Sequence, residues 1–511
     1  MVLTSEQKEL LKEKVYRLLE EVGMKIENEE IESILLKNGC EETPSGRIRI
    51  LRKLIEEMSI YQKKTQKEDD EDQTLHLQCG IDWAHSIIWN RRQNEIRQRL
   101  QSKFMMSAFD CGPTKYYDYQ NKKLIPVDTR IFIEMMKFAQ STPEIGYIST
   151  WYRQDVPQKT ERMDSLILAL KYTDKVDGIE AIYPEQIKYL KEIGEIISGT
   201  SENTPYLAGS QCITSPLVLE RRSAEDIVER ARLGIKRYHI ASMPTIGVST
   251  PVTLAGSVVM SAAEVLGGMA AAYSIDPESD LSGRAISMVT DMRTGNSVST
   301  GPETTILSLA VKELFDTFWG GHLWVEVFFS PSIKEPGLMA VYENLYGVYR
   351  YSKLTKKPDI PYPGMGTLGE GGIGSPAQFM LDLEIRKSEF ALKNKIIIDE
   401  ETLPFEEICK ITRERKEFLS SEHTLKHFRK LWSSNIFNFK YGDEKNILDK
   451  CDALWRENLK NYQPPEWSRE KIKALDDLLT KAKKEVAKNN FPLSKAVLPG
   501  FLENPVNIDK L

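Results

Sequence analysis

The sequence predicts an α/β protein, a (β/α)8 TIM barrel with an N-terminal helical extension and a C-terminal helical region. The first observation is that short apolar runs alternate with helical patterns over about 250 residues, which is typical of a parallel sheet. The second is that polar and aromatic side chains directly follow the strand candidates, as Tyr152 follows Trp151 and Gln211 follows Ser210. A barrel places its site at these carboxyl ends, and a count of eight strands favours closure over an open sheet.

Eight strand candidates and the helices between them support this fold element by element. The strand candidates are Phe104–Ala108, Gly146–Trp151, Gly178–Ile182, Pro205–Ser210, Tyr238–Ser242, Ala285–Thr290, His322–Phe329 and one near Asp359–Gly366. The helix candidates are Arg130–Gln140, Glu161–Tyr172, Pro184–Ile197, Ala224–Leu233, Val252–Tyr273, Pro302–Phe315 and Gly337–Tyr349.

The same patterns divide the chain into four regions. Residues 1–72 are predicted to form a mostly helical N-terminal cap, and residues 73–103 are an insert of uncertain structure. The barrel is predicted over residues 104–395 and the C-terminal helical region over residues 396–511.

Composition indicates a cytoplasmic protein and argues against nucleic acid as a partner. The 511 residues carry a net charge of −6, so no dominant basic surface is expected. Six cysteines without CxxC spacing indicate reduced thiols. The first residues are too polar for a signal peptide. The apolar stretch from Pro251 to Tyr273 contains Glu264 and several serines, so a buried helix is expected there instead of a membrane span.

The seventh strand candidate alternates between an apolar face and a mixed one. His322, Trp324, Glu326 and Phe328 share the mixed face. Two aromatic rings beside a carboxylate suit a quaternary ammonium, which has no N–H group and binds by cation–π attraction. The alternative is a filled barrel layer in which Glu326 pairs with a neighbouring arginine or lysine.

A glycine-rich segment follows the last strand candidate. Residues 364–369 match a dinucleotide-binding pattern, but the prolines before them and the missing βαβ unit argue against that function. The segment continues through Gly371 and Gly372 to Ser375, which is predicted to cap a helix. Such a helix N-terminus can bind an anion, and a tight barrel-closing turn is the alternative interpretation.

Two histidines near the C-terminus, His423 and His427, have the i, i+4 spacing of metal ligands. No third ligand is evident and the acidic neighbour Glu422 does not have the spacing of a zinc protease. We therefore predict no metal and expect helix packing or partner contact here.

Several separated motifs resemble the trimethylamine methyltransferase superfamily in the same order along the chain. They are residues 21–24 (EVGM), 251–256 (PVTLAG), 290–295 (TDMRTG), 301–303 (GPE) and 422–429 (EHTLKHFR). The resemblance covers almost the whole chain apart from the insert. It implies a TIM barrel that transfers a methyl group from an N-methylated amine to the cobalt of a corrinoid protein.

The resemblance also narrows the expected substrate. Trimethylamine members of the family carry pyrrolysine, and this sequence has none. It is therefore similar to members that act on quaternary amines, with glycine betaine the first expectation and proline betaine or carnitine the alternatives. None of the six histidines lies in an Asp-x-His-x-x-Gly corrinoid signature, so the corrinoid is expected on a separate partner protein, and this chain is expected to bind no cofactor itself. A homo-oligomer is also expected.

Candidate site residues follow from the strand pattern and this chemistry. Glu326 and His322 are the catalytic candidates. The predicted ammonium-binding and carboxylate-binding candidates are Trp324, Phe328, Trp151, Tyr152, Arg293, His239, Gln211, Gly371 and Gly372. For Arg293, a structural pair with Asp291 is the alternative.

Three other function classes remain open. A metal-dependent lyase or aldolase requires a His/Asp/Glu cluster or a lysine at a strand end. A non-catalytic quaternary-amine-binding barrel requires ligand binding without methyl transfer. A scaffold within a corrinoid complex requires that changes such as Trp324→Ala leave turnover intact.

Overall fold

The computed structural model describes residues 2–66, 106–109, 112–199, 206–325, 331–356, 364–392, 395–437 and 444–488. The predicted insert at 73–103, most of the strand predicted near Asp359 and the candidates Glu326 and Phe328 lie outside the described residues. The backbone of Trp324 is described and its side chain is not.

Helices account for most of the described chain. Their bounds are α1 Ser5–Glu21, α2 Glu29–Lys37, α3 Arg52–Gln66, α4 Thr129–Ser141, α5 Gln158–Tyr172, α6 Pro184–Ser198, α7 Arg221–Arg232, α8 Leu254–Ile275, α9 Pro302–Leu314, α10 Leu338–Thr355, α11 Pro376–Ala391, α12 Phe405–Glu414, α13 Glu422–His427, α14 Glu444–Leu459 and α15 Arg469–Lys488. A π-helical turn, Phe315–Trp319, extends α9.

Short strands alternate with these helices. Their bounds are β1 Lys25–Ile26, β2 Glu41–Glu42, β3 Ile48–Arg49, β4 Met106–Ala108, β5 Lys115–Asp118, β6 Lys123–Pro126, β7 Ile145–Ile148, β8 Ile179–Glu180, β9 Leu207–Ala208, β10 Gln211–Ile213, β11 Val218–Leu219, β12 Arg237–Ser242, β13 Thr245–Ile246, β14 Asp280–Ala285, β15 Met288–Thr290, β16 Ser297–Val298, β17 His322–Trp324, β18 Thr367–Leu368 and β19 Ile373–Gly374.

The central strands are parallel and follow one another in chain order. β4 pairs with β7, β8 pairs with β9, and β10, β12, β14 and β17 form a continuous four-stranded parallel sheet. Ile148 at the end of β7 bridges in parallel to Val176, just before β8. The Phe109 amide after β4 donates to the Met365 carbonyl at 3.0 Å. This arrangement confirms the predicted α/β class with alternating parallel strands and helices.

One predicted strand is displaced. We predicted Ala285–Thr290, whereas the sheet strand is β14, Asp280–Ala285, and Met288–Thr290 forms a separate strand beside β13. The residues Asp280, Ser282 and Gly283 resemble a polar loop by composition. They form a strand because Ser282 faces the interior and Gly283 packs closely under a helix. The antiparallel hairpin of β5 and β6 was also missed.

Helix α8 forms the centre of the second half of the molecule. A methyl group on Gly268 would lie 2.6 Å from Cγ2 of Ile240 in β12, and one on Gly267 would lie 3.2 Å from Cδ2 of Leu19 in α1. Small residues therefore let α8 approach the sheet on one side and α1 on the other. Among the described helices, α8 alone is long and apolar enough to cross a membrane, and most of it is buried inside the protein as predicted.

The N-terminal cap is attached to this half through its backbone and its core. β1 pairs in parallel with β11, and the Trp319 indole donates to the Tyr16 hydroxyl at 3.1 Å. A second core lies between the first three central strands and the C-terminal helices α14 and α15, where Trp455 is fully buried.

Candidate functional site

The register of the four-stranded sheet determines which side chains face away from the helices. Ile240, Gly283 and Leu323 are register neighbours, and Gly283 packs against Met269 and Val265 of α8. Residues of the opposite parity therefore point to the inner side of the sheet. The predicted apolar face of the seventh strand is thus directed toward helix α8, through Leu323.

Three polar residues form one layer on this inner side. His239, Ser282 and His322 are register neighbours on β12, β14 and β17, and all three are buried. The Nδ1 atom of His239 lies 2.8 Å from the Ser282 hydroxyl oxygen. That hydroxyl donates its single proton to the Tyr238 carbonyl at 3.2 Å, so its oxygen accepts from Nδ1–H. The imidazole of His239 is therefore held in one orientation.

Arg284 occupies the next layer of the same face. It is 6% exposed and lies in register with Ala241 and Trp324, two residues beyond Ser282. A buried guanidinium is costly unless it binds an anion or several acceptors. Arg284 was not among the predicted site residues, because the predicted strand began at Ala285. The alternation of Ser282 and Arg284 with Leu281 and Gly283 was the available signal.

Cys212, on the neighbouring strand β10, lines the same space. It is in register with Ala241, so it shares the inner face. Its side chain remains partly accessible, yet burial raises the pKa of the Cys212 thiol to about 12, with the Glu180 carboxylate contributing in the same direction. The thiol therefore stays protonated near neutral pH. Arg222 donates to Glu180 at 2.7 Å beside it.

Gln211 points toward the helices and not into this space. It is a register neighbour of Ile240, its side-chain carbonyl accepts from the His239 amide at 2.9 Å, and its side-chain NH2 donates to Asp226 of α7. Both ends of its amide group are thus used by the protein.

The structure places the two aromatic candidates after β7 in packed surroundings. Trp151 is fully buried, meets the Phe109 ring edge-on at 5.0 Å, and lies so close to Gly374 that a methyl group there would be 2.3 Å from the indole. The Tyr152 ring is covered by the Arg162 guanidinium, 3.4 Å from its centroid. Both rings therefore pack against other side chains of the protein.

Arg293 lies on an exposed turn. Its side chain is 89% exposed, and its Nε and Nη2 atoms donate to the Asp291 carboxylate at 3.2 and 3.1 Å. These hydrogen bonds lower the pKa of Asp291 from its usual range. The geometry matches the structural pair considered as the alternative.

Backbone pairing occupies much of the glycine-rich segment. The Gly372 carbonyl accepts from the amides of Thr114 and Lys115 at 3.2 and 3.1 Å, and the Gly369 amide donates to the Ile333 carbonyl. Gly371 adopts a φ of +93°, which favours glycine. Ser375 caps α11 as predicted, with its hydroxyl accepting from the Gln378 amide. These contacts are those of a tight turn, the kind of structure considered as the alternative to an anion site.

The rings of the two C-terminal histidines, His423 and His427, lie against each other at a tilted angle of 35°. Their ring centroids are 4.3 Å apart, and Nε2 of His423 lies 3.1 Å from the Glu401 carbonyl oxygen. Partial desolvation and the nearby Lys430 lower the pKa of His427. Within the described ranges no group of three or more His, Cys, Asp or Glu side chains has metal-binding geometry.

Comparison with known proteins assigns the family. The family model for trimethylamine methyltransferase (MTTB) matches residues 85–487. The chain belongs to the trimethylamine methyltransferase family. A glycine betaine methyltransferase of Desulfitobacterium hafniense is 23% identical over 502 residues, covering 95% of this chain and 98% of that relative. A trimethylamine methyltransferase of Methanosarcina barkeri is 24% identical over 411 residues, covering 77% of this chain and 76% of the relative. The chain is thus a methyltransferase by family, as the motifs predicted.

Proposed function

We propose that this methyltransferase moves a methyl group from a carboxylate-bearing quaternary amine, glycine betaine first among them, to Co(I) of a separate corrinoid protein. The observation that carries the proposal is Arg284, a buried arginine that faces inward on the layer next to His239, Ser282 and His322. Similarity to a glycine betaine methyltransferase over 95% of the chain supports the same substrate.

The reaction needs little from the protein beyond positioning. The N–CH3 bond breaks with its electron pair remaining on nitrogen, so a neutral tertiary amine leaves. Co(I) supplies the pair for the new bond and becomes methyl-Co(III), and no proton moves. A quaternary ammonium is already an activated donor, so the chain's residues act by orienting it and excluding water.

Arg284 is proposed to bind the substrate carboxylate. A guanidinium forms two parallel hydrogen bonds to a carboxylate, which fixes orientation as well as position. Trimethylamine has no carboxylate and could not form these two hydrogen bonds. His239 and His322, one layer below, are proposed as further polar contacts, with His322 kept as the catalytic candidate beside Glu326.

The opposite end of the substrate is proposed to lie against the aromatic side chains of the seventh strand. Trp324 is a register neighbour of Arg284, and its side chain, with Phe328 and Glu326, remains the predicted ammonium site.

We also propose that the parallel strands close into a (β/α)8 barrel. The hydrogen bond from the Phe109 amide to the Met365 carbonyl, between its first and last strands, supports closure.

The corrinoid protein is proposed to dock over the carboxyl ends of these strands. β13, β15 and β16 form a small sheet after β12 and β14, and Met243, Val248, Val252 and Met292 in this region are each at least 41% exposed. Such a patch of modest size suits a partner that binds and leaves in each cycle. The enzyme is proposed to act in the cytoplasm as a homo-oligomer.

An anaerobic methyl-transfer assay tests the proposal. The protein is mixed with reduced Co(I) corrinoid protein and glycine betaine, proline betaine, carnitine, choline, dimethylglycine or trimethylamine. We expect conversion of Co(I) to methyl-Co(III), followed by absorbance, with glycine betaine and not with trimethylamine. Conversion with carnitine or proline betaine alone would change the assigned substrate but would support the proposed reaction. No conversion with any of these amines, when the cognate corrinoid protein is present, would contradict the proposed function.

A further inference from the structure

Exposed apolar side chains are concentrated in one segment near the C-terminus. The described residues include 28 large hydrophobic side chains that are exposed, and 12 of them lie within residues 395–432, which we call the arm. They are Ile396, Ile397, Ile398, Leu403, Phe405, Ile408, Phe418, Leu419, Leu425, Phe428, Leu431 and Trp432. Single exposed apolar residues are normal on a protein surface, but this density is not.

The described parts of the chain do not cover the arm. Among residues 395–435 only Ile411 is buried, at 9% exposure. The chain returns to the core at Ile436, which is 2% exposed, and the Asn435 amide donates to Glu384 of α11 at 2.8 Å. The chain is thus attached to the core just after the arm, whereas the side chains of the arm itself remain outside the core.

The helices of the arm are too short to be stable alone. α12 has 10 residues and α13 has 6. Isolated helices shorter than about 12 residues are marginal in water, so tertiary burial must stabilise them. Glu401 pairs with Lys426 at 3.2 Å and with Lys430 at 3.7 Å, but exposed ion pairs of this kind contribute little. A surface outside the described residues must therefore cover the arm.

The size and apolar character of this surface argue for a permanent occupant. Twelve large side chains, each offering roughly 100 Å² of surface, present on the order of 1,000 Å², which exceeds one partner's share of a standard interface. A corrinoid protein that must leave after each transfer would expose this surface again in every cycle. A second copy of the chain remains bound throughout, and obligate interfaces between copies are the more apolar class.

Helix α10 offers a matching surface. Tyr342, Tyr346 and Tyr349 lie along one side of the helix and are 56%, 37% and 58% exposed. Their rings stack at 5.6 Å and 6.3 Å, with interplanar angles of 7° and 19°. Leu338 and Met339 extend this tyrosine face at the start of the helix. The Arg350 guanidinium lies 4.7 Å from the centroid of the Tyr346 ring, and this contact favours the observed position of the ring within the tyrosine face.

We infer that the arm of one copy packs on the tyrosine face of a second copy, in a two-fold exchange. In a symmetric pair each chain gives one arm and receives one, so both apolar surfaces are covered by a single type of contact. The patch at the strand carboxyl ends stays free for the corrinoid protein. This inference rests on the homo-oligomer in the proposed function and specifies the contact between its copies. It requires no assumption about the substrate.

Light scattering on the full chain tests the occupant. The variant carries Phe405→Asp and Leu431→Asp, and the matched control carries Leu10→Asp and Ile60→Asp, which are 61% and 73% exposed outside the arm. We expect the wild type and the control to share one multimeric mass, and the arm variant to fall at least about twofold in mass because charges are excluded from an apolar interface. A monomeric wild type, or an arm variant of unchanged mass, would overturn the inference.

Cross-linking tests the receiving surface. Cys409 in α12 is a partly exposed free thiol. Both variants are made in a chain whose Cys79 and Cys111 are replaced by serine. The Tyr346→Cys variant is expected to give a dimer-sized product with a short bis-maleimide. The Leu10→Cys variant is expected not to give this product. Equal yields from the two would overturn the tyrosine face as the receiving surface. Both measurements use the chain without amine or corrinoid, so their failure leaves the methyl-transfer result untouched.

Discussion

Replacing Arg284 by glutamine is expected to lower kcat/KM for glycine betaine by about 100-fold, which corresponds to the loss of a charged, buried hydrogen-bonded contact. Most of the loss should appear in KM, because the carboxylate is bound equally in the ground state and the transition state. Arg284→Lys should recover part of the loss, since it restores the charge without the two-pronged geometry. Initial rates of methyl-Co(III) formation over a range of substrate concentrations measure each value.

Two other arginines provide comparison variants. Arg237→Gln changes an arginine on the adjacent strand β12 that pairs with Asp280 at 3.3 Å. Arg293→Gln changes the residue predicted from the sequence to bind the carboxylate. Both are expected to change kcat/KM by less than about threefold, because exposed charge pairs contribute little. An Arg284→Gln enzyme that is folded and has an unchanged KM for glycine betaine would refute the carboxylate assignment.

Replacing Glu264 by alanine is expected to destabilise the protein by about 3–5 kcal/mol. Glu264 lies fully buried in α8, where its carboxylate accepts from the Ser215 hydroxyl at 2.8 Å, the Leu217 amide at 3.0 Å and the Ser242 hydroxyl. It thereby connects α8 to the end of β12 and to the loop before β11. Alanine leaves three buried donors without an acceptor and opens a cavity. Urea unfolding at fixed pH measures the difference, with Glu57→Gln, an exposed helix glutamate, as the control.

The pH dependence of this effect has a definite sign. Burial raises the pKa of Glu264 above its usual range, although its hydrogen bonds act in the opposite direction. A carboxyl whose folded pKa is raised stabilises the fold most below its unfolded pKa, and that contribution is lost as pH rises through the folded value. The stability of the wild type relative to Glu264→Gln should therefore fall as pH rises above the ordinary range of a carboxyl pKa. A difference that grows with pH would contradict the raised pKa of Glu264.

Periodicity predicted much of the fold before any tertiary information. The predicted helices Arg130–Gln140 and Pro184–Ile197 correspond to α4, Thr129–Ser141, and α6, Pro184–Ser198. These elements were readable because their apolar residues repeat at helical spacing and recognisable caps mark their ends. Ser375 was identified as a cap for the same reason. Strand β14 was not, because its inner face carries serine and arginine and its outer face carries glycine.

The candidate site was predicted less completely, for a geometric reason. Alternation along one strand shows that His322 and Trp324 share a face, but only the register between strands shows that His239, Ser282 and Arg284 share it too. Gln211 follows a strand in the sequence and was expected in the site, yet the same register turns it toward α7. Arg293 follows a strand as well, and the turn after it carries the side chain into solvent.

The sequence by itself determined the alternating α/β pattern, the N-cap of α11 and, through its motifs, the methyltransferase family. These depend on neighbours within a few residues or on linear order. The tertiary structure decided that Arg284 is the buried inward cation, that Glu264 holds α8 to the sheet, and that the arm has no cover within the described chain. Each of these depends on which distant segments are adjacent, and such adjacency is set by strand register and packing over separations that local sequence patterns do not encode.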